Sequence, residues 1–414
     1  MTDTLRYLTS TLAVLAVSVA PMPANAQPTP SMDIKHVTHF EDIQTREPML
    51  AELPDGALLV AGFPRYPHEP ARAPSLWRST DGGKAWQRVD VGTPADGAIG
   101  NSDVDLIVAP DGTVYFVTMG FNRTTREGTH IAIGVSRDGA KTWRWQQLAG
   151  NARVDRPWVV VASDGGVHVI WNDGAGVYHT RSKDRGASFG EAVRVSDKGG
   201  SSHFAAGPDG RLAIRVTPIS ASGNQLDKAY DFLMVSNDSG DSWRRRALPG
   251  EREWAELETA NPPRWVEPVA WAGDGSLFYL WSEGRQLYLA RSRDGGASWA
   301  QQPFASDEAM CFFPWLGTDG QGGLVASWFA FSDGMSVRAA HVQLRSGEPV
   351  ITQSPPLQFE SWMEREGKWM RDTAGEYVPV ARLSDGDFAV VTPLQDPRDD
   401  RMGFSFWRLG AGQD

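Results

Sequence analysis

The sequence predicts an all-β fold, a β-propeller of four-stranded antiparallel blades, with seven blades favoured and six possible. Three observations support this prediction: a turn motif that occurs five times, seven Asp-Gly turns between apolar segments, and the regular spacing of both along the 414 residues. Self-similarity at a regular spacing is typical of repeat architectures, in which one supersecondary unit recurs.

The turn motif has the pattern Ser-x-Asp-x-Gly-x-x-aromatic, and the second copy has alanine in place of the glycine. Its copies begin at Ser79, Ser136, Ser182, Ser236 and Ser292. The motif aspartates fall at positions 81, 138, 184, 238 and 294, which gives steps of 57, 46, 54 and 56 residues. Ser and Asp side chains hydrogen-bond the backbone of their own turn, and glycine supplies a positive φ. Because one carboxylate per turn falls short of the roughly six to eight oxygens that calcium takes, we interpret the motif as architecture.

Asp-Gly dipeptides between apolar segments are a strong hairpin signal. They begin at Asp55, Asp111, Asp164, Asp209, Asp274, Asp319 and Asp385. Each unit therefore reads as two hairpins, repeating about every 45–65 residues, as in a propeller blade. The chain ends before the seventh unit has a fourth strand, so residues 34–40 are expected to supply it and close the ring.

The N-terminus has the order of a secretory signal peptide. Arg6 precedes an apolar stretch over residues 8–20, and Ala24-Asn25-Ala26 forms a small-x-small cleavage site. We expect residues 1–26 to be the signal peptide and residues 27–414 to be one propeller domain, exported to the periplasm or secreted. An uncleaved anchor is the alternative, but the stretch is short for a bilayer, and no membrane span is expected after cleavage.

Composition excludes several classes of partner. The net charge is −11, from 40 basic and 51 acidic residues, and no cluster of Lys and Arg suits nucleic-acid phosphates. The single cysteine, Cys311, lies in an apolar segment and is expected to be a buried thiol. No Cys or His spacing indicates a metal site, and no cofactor is expected.

Three long connections interrupt the repeat, at residues 217–230, 249–266 and 353–376. In a propeller blade these positions open on one face, so the connections are expected to surround one mouth of the ring. They carry Trp254, Trp265, Trp362 and Trp369. These tryptophans either stack on sugar rings or pack the loops down.

The repeats resemble those of the sialidase (BNR, or Asp-box) superfamily of propellers. Three further segments look like that family's site motifs: Arg46-Glu47-Pro48, Glu267-Pro268 and Tyr377-Val378-Pro379. The resemblance implies that Arg46 binds a substrate carboxylate and that Tyr377 is the nucleophile. It also implies that Glu267 takes the phenol proton, since a tyrosine nucleophile needs a carboxylate beside it.

The chain departs from the family's pattern elsewhere. For the other two carboxylate-binding arginines it offers Arg285, Arg338 and Arg345, none within a matching motif. The stretch that should hold the proton-donating aspartate includes Arg65, His68 and Glu69 but no aspartate. With the arginine triad and the acid incomplete, true sialidase activity is not the expectation.

Other polar residues open the inner strands. Asn101, Asp103 and Asp105 open the second, Asp155 and Arg156 the third, and His203 the fourth. Arg46, Arg65, Arg156 and Asp103 are the candidate substrate-binding residues. Asp103 and Asp105 are expected on one side of their strand, where they bind a cation or act as acid and base. Alternatively, these residues cap strand ends and line a wet channel.

Two classes of function remain. One is a glycan-active hydrolase or lyase of the sialidase-like type, with Tyr377 and Glu267 as catalytic residues. The other is a non-catalytic propeller whose central mouth binds a carbohydrate or a protein, since propellers also serve as platforms.

Overall fold

The computed structural model describes residues 32–40, 45–63, 73–150, 153–173, 175–218, 231–250, 267–283, 286–306, 310–331, 334–358, 364–365, 368–369, 375–395 and 402–411. They form a ring of seven antiparallel sheets, each built on four strands, which in the first six blades follow chain order from the axis outward. The prediction of a seven-bladed all-β propeller is confirmed, and the six-bladed alternative is wrong. The expected signal peptide, residues 1–26, lies outside the described residues.

The first four blades are each one continuous segment of chain. Blade 1 comprises Arg46–Glu52, Leu58–Phe63, Ser75–Ser79 and Gln87–Arg88. Blade 2 comprises Ser102–Val108, Val114–Asn122, Glu127–Ser136 and Arg144–Gly150. Blade 3 comprises Asp155–Val161, Val167–Asn172, Val177–Ser182 and Val193–Ser196. Blade 4 comprises Gly200–Ala206, Leu212–Pro218, Phe232–Ser236 and Arg244–Ala247.

The last three blades complete the ring. Blade 5 comprises Val269–Trp271, Leu277–Glu283, Gln286–Ser292 and Ala300–Ser306. Blade 6 comprises Met310–Thr318, Leu324–Phe331, Met335–Arg345 and Glu348–Gln353, and Leu357–Gln358 also pairs with its third strand. Blade 7 comprises Val380–Arg382, Phe388–Gln395 and Met402–Gly410, with Asp33–Phe40 outermost. The other short elements are the 3₁₀ turns Pro94–Asp96 and Pro208–Gly210 and the hairpin of Glu364–Arg365 with Lys368–Trp369.

The N-terminal strand closes the ring as expected. Asp33–Phe40 pairs antiparallel with Met402–Gly410, and Val37 lies opposite Trp407. Covering the free edge of blade 7 removes a row of unpaired backbone groups that would otherwise invite edge-to-edge association.

The five motif turns share one hydrogen-bond pattern. In the first copy, the Ser79 hydroxyl donates to Asp81 Oδ1 at 2.8 Å and accepts from the Gly83 amide at 2.9 Å. Asp81 Oδ1 also accepts from the Ala85 amide at 2.9 Å. These bonds lower the pKa of Asp81 because they favour the ionised carboxylate. The aspartates are therefore occupied within their own turns, which supports an architectural role.

Strand direction separates the two faces of the ring. Because strands alternate in direction, the Asp-Gly turns and the motif turns lie on one face. The innermost strands begin on the opposite face, which is the face of the longest connections. Trp254, Trp265 and Trp362 of these connections lie outside the described residues, so their role stays a prediction.

The core is built mainly from the first three strands of the blades, packed against neighbouring blades. All six residues of Leu58–Phe63 are buried, and Cys311 is a buried free thiol, as expected. Within the described ranges, no helix reaches the length and apolarity needed to cross a bilayer.

Candidate active site

The innermost strands of blades 1, 2, 3 and 6 each contain a one-residue bulge near their first residue. In blades 1, 3 and 6 the bulge holds a residue at positive φ followed by proline: Glu47 at 49°, Arg156 at 48° and Phe313 at 47°. In blade 2 the extra residue is Asp103. A bulge redirects side chains and ends regular pairing, which is why bulges are common beside active sites.

Three carboxyl groups from blades 1, 2 and 3 lie near one another. Asp103 is the shared neighbour, because its negative charge acts on both Glu47 and Asp155. Burial, and then the nearby charges of Glu376 and Asp103, raises the pKa of Glu47 well above its usual range. Partial desolvation among the neighbouring strands, and then the charge of Asp103, raises the pKa of Asp155 to about 7. We call Glu47, Asp103 and Asp155 the carboxyl chain; within it, nearby negative charge favours the protonated forms of Glu47 and Asp155.

Arg156 joins the carboxyl chain to blade 7. Its guanidinium donates to Tyr377 Oη at 3.0 Å and to Glu376 Oε1 at 2.7 Å. Tyr377 is 1% exposed, and burial followed by the surrounding carboxylates raises its pKa well above 10, against the opposing effect of Arg156. The phenol therefore stays protonated at neutral pH.

Gly375 sets how closely blade 7 approaches blade 1. Its φ is +127°, and a Cβ at this position would lie 2.9 Å from Glu47 N and 3.0 Å from Glu47 Cα. Any larger residue would push the segment that carries Glu376 and Tyr377 away from Glu47. The glycine is thus required for both its conformation and its close contact.

Four rings pack together beneath the carboxyl chain: Trp158, His203, Trp315 and Tyr377. The centroids of Trp158 and His203 are 4.8 Å apart, and those of Trp158 and Tyr377 are 5.5 Å apart. Burial, and then the charge of Arg215, lowers the pKa of His203 to about 3. His203 Nδ1 accepts the Val269 amide at 3.4 Å, so the proton of this neutral imidazole resides on Nε2.

A second buried network lies between blades 4 and 5. Arg215, 0% exposed, contacts Asp231 at 2.6 Å and Glu267 at 3.5 Å. Glu267, also 0% exposed, accepts from the Tyr279 hydroxyl at 2.8 Å and from the Ser282 amide at 3.0 Å. Each of these bonds stabilises a charge that burial alone would penalise.

The structure brings some of the predicted site residues together. Asp103, Arg156 and Tyr377 belong to the cluster around the carboxyl chain, and Arg46 lies at its border, 3.4 Å from Glu47 and 25% exposed. The contacts described for Glu267 belong instead to the second network. The predicted pairing of Tyr377 with Glu267, like the role of each residue, stays a prediction.

The other predicted site residues lie either away from the carboxyl chain or outside the described residues. Arg65, His68, Glu69 and Arg285 lie outside the described residues. Arg338 and Arg345 are on the third strand of blade 6, two strands out from the axis. The Asn101 amide binds the backbone of Phe121 through both of its polar atoms.

Asp103 and Asp105 do not share one environment, because the bulge at Asp103 interrupts the alternation. Asp105 accepts the backbone amides of Leu106 and Val159, which ties blade 2 to blade 3. Burial raises the pKa of Asp105 to about 6, against these two bonds. Asp105 is therefore a structural carboxyl group.

Sequence reasoning missed Glu47, Glu376 and Arg215 as members of these networks. For Glu47 the available signal was a charged residue between Arg46 and Pro48 at the start of the first inner strand. Arg215 stands in the apolar strand Leu212–Pro218, where an isolated arginine indicates a buried ion pair. In the part of the chain that the structure describes, no group of three or more His, Cys, Asp or Glu side chains is arranged to hold a metal ion.

No protein-family model matches the sequence, and no curated protein matches it either. Solved structures do match the fold. The Penicillium chrysogenum α-L-arabinanase complexed with arabinobiose has 16% sequence identity and a TM-score of 0.50, over 81% of this chain and 99% of that one. The Fusarium graminearum GH93 α-L-arabinofuranosidase with arabinobiose has 14% identity and a TM-score of 0.51, over 88% and 92%.

The polysaccharide lyase Uly1 has 10% identity and a TM-score of 0.51, over 86% of this chain and 88% of that one. At these identities the similarity concerns the fold alone. The fold is that of the sialidase-like β-propellers. Within this sialidase-like propeller, the carboxyl chain occupies the start of the inner strands of three adjacent blades.

Proposed function

We propose that the protein processes glycans at the central mouth, as a hydrolase that uses general acid–base catalysis. The carboxyl chain carries this proposal. Glycoside hydrolysis needs one carboxyl group that holds a proton near neutral pH and another that stays ionised. Environments that separate the pKa values of neighbouring carboxyl groups are the usual way to obtain such a pair.

Asp155 is the proposed proton donor to the leaving oxygen. Its side chain is 47% exposed, its pKa is about 7, and the negative charge of Asp103 helps to keep the proton on it. Arg156 holds Tyr377 and Glu376 beside the cluster, and the partly exposed Arg46 is placed to bind a polar group of the substrate. The three similar solved structures named above all act on carbohydrates by their descriptions, which supports the same substrate class here.

The alternative is a non-catalytic glycan-binding platform. The burial of Tyr377 and Glu267 favours it, because neither side chain is open to a substrate in this conformation. In that case the mouth would bind oligosaccharides without turnover.

Turnover of a glycan panel tests the proposal. The panel includes arabinan, neutral oligosaccharides, a sialoside and a uronate polysaccharide, with release of reducing ends as the readout and unsaturated products as the mark of a lyase. Asp155→Asn should reduce turnover by about 10²-fold or more, the usual contribution of a general acid. Asp209→Asn, an exposed aspartate on the opposite face, is the matched control and should leave turnover unchanged.

The outcomes separate the two functions. Binding of a glycan without turnover by the wild-type protein would support the platform. Turnover that survives Asp155→Asn would remove the proposed role of the carboxyl chain.

We also propose that the protein is exported after cleavage of residues 1–26. The charge order and the Ala24-Asn25-Ala26 site support this. Mass spectrometry of the mature protein should find Gln27 at its N-terminus, in the periplasmic or culture fraction. An intact N-terminus in the membrane fraction would support the uncleaved anchor instead.

A further inference from the structure

A second cleft, of about 450 Å³, opens at the periphery of blades 5 and 6. It is lined by residues at the end of the third strand and the start of the fourth strand of blade 5, together with Glu348 and Pro349 of blade 6. These strand ends carry the motif turns, so the cleft lies on the face opposite the carboxyl chain. Its volume is within the usual range of small-molecule sites.

The charges in the cleft are balanced. Arg291 forms an ion pair with Asp274 and also donates to the Gly347 carbonyl. Arg293 lies 3.3 Å from Glu348 and donates to the same carbonyl at 3.0 Å. Because each guanidinium already has a carboxylate partner, the cleft offers no unbalanced positive charge to an anionic ligand.

The remaining lining is amphipathic. The buried side chains of Phe278 and Leu289 form an apolar base, and the Trp299 indole lies beside them. Trp299 Nε1 donates to the Ala247 carbonyl of blade 4 at 3.1 Å, which fixes the orientation of the ring. The amide side chains of Gln301 and Gln302 supply donors and acceptors along the same cleft.

We propose that this cleft is a second binding site and that its ligand is a neutral oligosaccharide. A sugar ring presents an apolar C–H face to an immobilised aromatic ring and hydroxyl groups to amide side chains. A cleft of this size takes a short segment of a polysaccharide rather than a whole chain. The inference follows from the lining of the cleft itself and does not depend on the chemistry of the central mouth.

Filling the cleft is the sharpest test, because it removes no existing contact. Ala300 lines the cleft and is exposed at the start of an outer strand, so Ala300→Phe should occupy the space without disturbing the blade. Arg244→Phe is the matched control, since Arg244 also directly follows a motif tryptophan and is exposed. Gln302→Ala is a second variant, which removes an amide without adding bulk.

The assay is affinity electrophoresis in gels that contain arabinan, galactan, xylan or polygalacturonate. Retardation of the wild-type protein is expected in at least one neutral gel. Ala300→Phe should weaken the apparent affinity by about tenfold or more, Gln302→Ala should weaken it less, and Arg244→Phe should not change it. Asp155→Asn should retain the retardation, because the cleft is remote from the mouth.

Three results would overturn the inference: no retardation in any neutral gel, retardation in polygalacturonate alone, or retardation that Ala300→Phe leaves unchanged. Retardation lost in Asp155→Asn but kept in Ala300→Phe would assign glycan binding to the mouth. Turnover of a small substrate reports on the mouth alone, so failure of the proposed function and failure of this inference are distinguishable.

Discussion

Replacement of Arg215 by methionine is expected to destabilise the propeller strongly. The guanidinium is fully buried between two carboxylates, at 2.6 Å from Asp231 and 3.5 Å from Glu267. Methionine retains much of the volume but none of the charge. Glu267 and Asp231 would then lose the buried cation that faces their carboxylates.

The magnitude follows from the asymmetry of buried ion pairs. Removal of one partner from a buried pair costs about 3–5 kcal/mol, because the other charge stays desolvated. Neutralising a partner carboxylate as well removes the part of that cost due to its charge. We therefore expect Arg215→Met to lower the free energy of unfolding by about 3–5 kcal/mol and the double variant Arg215→Met/Glu267→Gln to recover only the part due to Glu267, since Asp231 keeps its charge.

Urea denaturation with linear extrapolation measures both effects. Arg244→Met, at an exposed arginine in the outer strand of the same blade, is the control and should change stability by less than about 0.5 kcal/mol. If Arg215→Met behaves like the control, or if the second substitution deepens the loss, the ion pair does not act as described. The double variant also tests Glu267 as a catalytic residue, since turnover retained by the refolded protein would leave it a structural role.

Three further predictions concern histidines and one glycine. Two-bond ¹H–¹⁵N correlation spectra should show His203 protonated on Nε2 between pH 5 and 8, and an Nδ1–H signal would contradict the assigned tautomer. His168 and His179 stack with their ring nitrogens 2.9 Å apart, and burial lowers their pKa values to about 4 and about 3. Since unfolded histidine takes up a proton near pH 6.5, stability should fall by about 1.4 kcal/mol per pH unit per histidine between about pH 6.5 and 4.5, and His179→Phe should flatten that slope in urea titrations. Gly375→Ala should lower both stability and turnover because its Cβ meets Glu47, whereas Gly56→Ala, also at positive φ but with open space around it, should affect stability alone.

The fold could be predicted because its signals are local. Each motif turn satisfies its own hydrogen bonds, and each Asp-Gly turn specifies a hairpin, so both are visible in a short window of sequence. Even the ring closure was predictable, since a final blade without its fourth strand leaves an edge that residues 34–40 can cover.

The site was predictable only in part, because its contacts are not local. Glu47, Asp103 and Asp155 come from three blades, and Tyr377 reaches Arg156 across more than two hundred residues of chain. Bulges compound the difficulty, since a single extra residue reverses the side on which later side chains point. The alternation of side chains along a strand therefore predicted that Asp103 and Asp105 share one environment. The bulge at Asp103 instead turns the two side chains to different sides.

The same bulge explains how a repeating fold acquires an asymmetric site. Arg46 and Asp155 are equivalent, since each forms the last strand pair before the bulge in its blade, and Glu47 and Arg156 are the equivalent residues that follow. Blade 1 thus carries a basic residue followed by an acidic one, and blade 3 carries the reverse. Between them, blade 2 contributes Asp103, whose charge acts on the acid of each neighbouring blade. Exchange of charge between equivalent positions places three carboxyl groups in one cluster beside Arg46 and Arg156. The identity of the bulge residues, rather than the repeat itself, therefore determines the chemistry of the mouth.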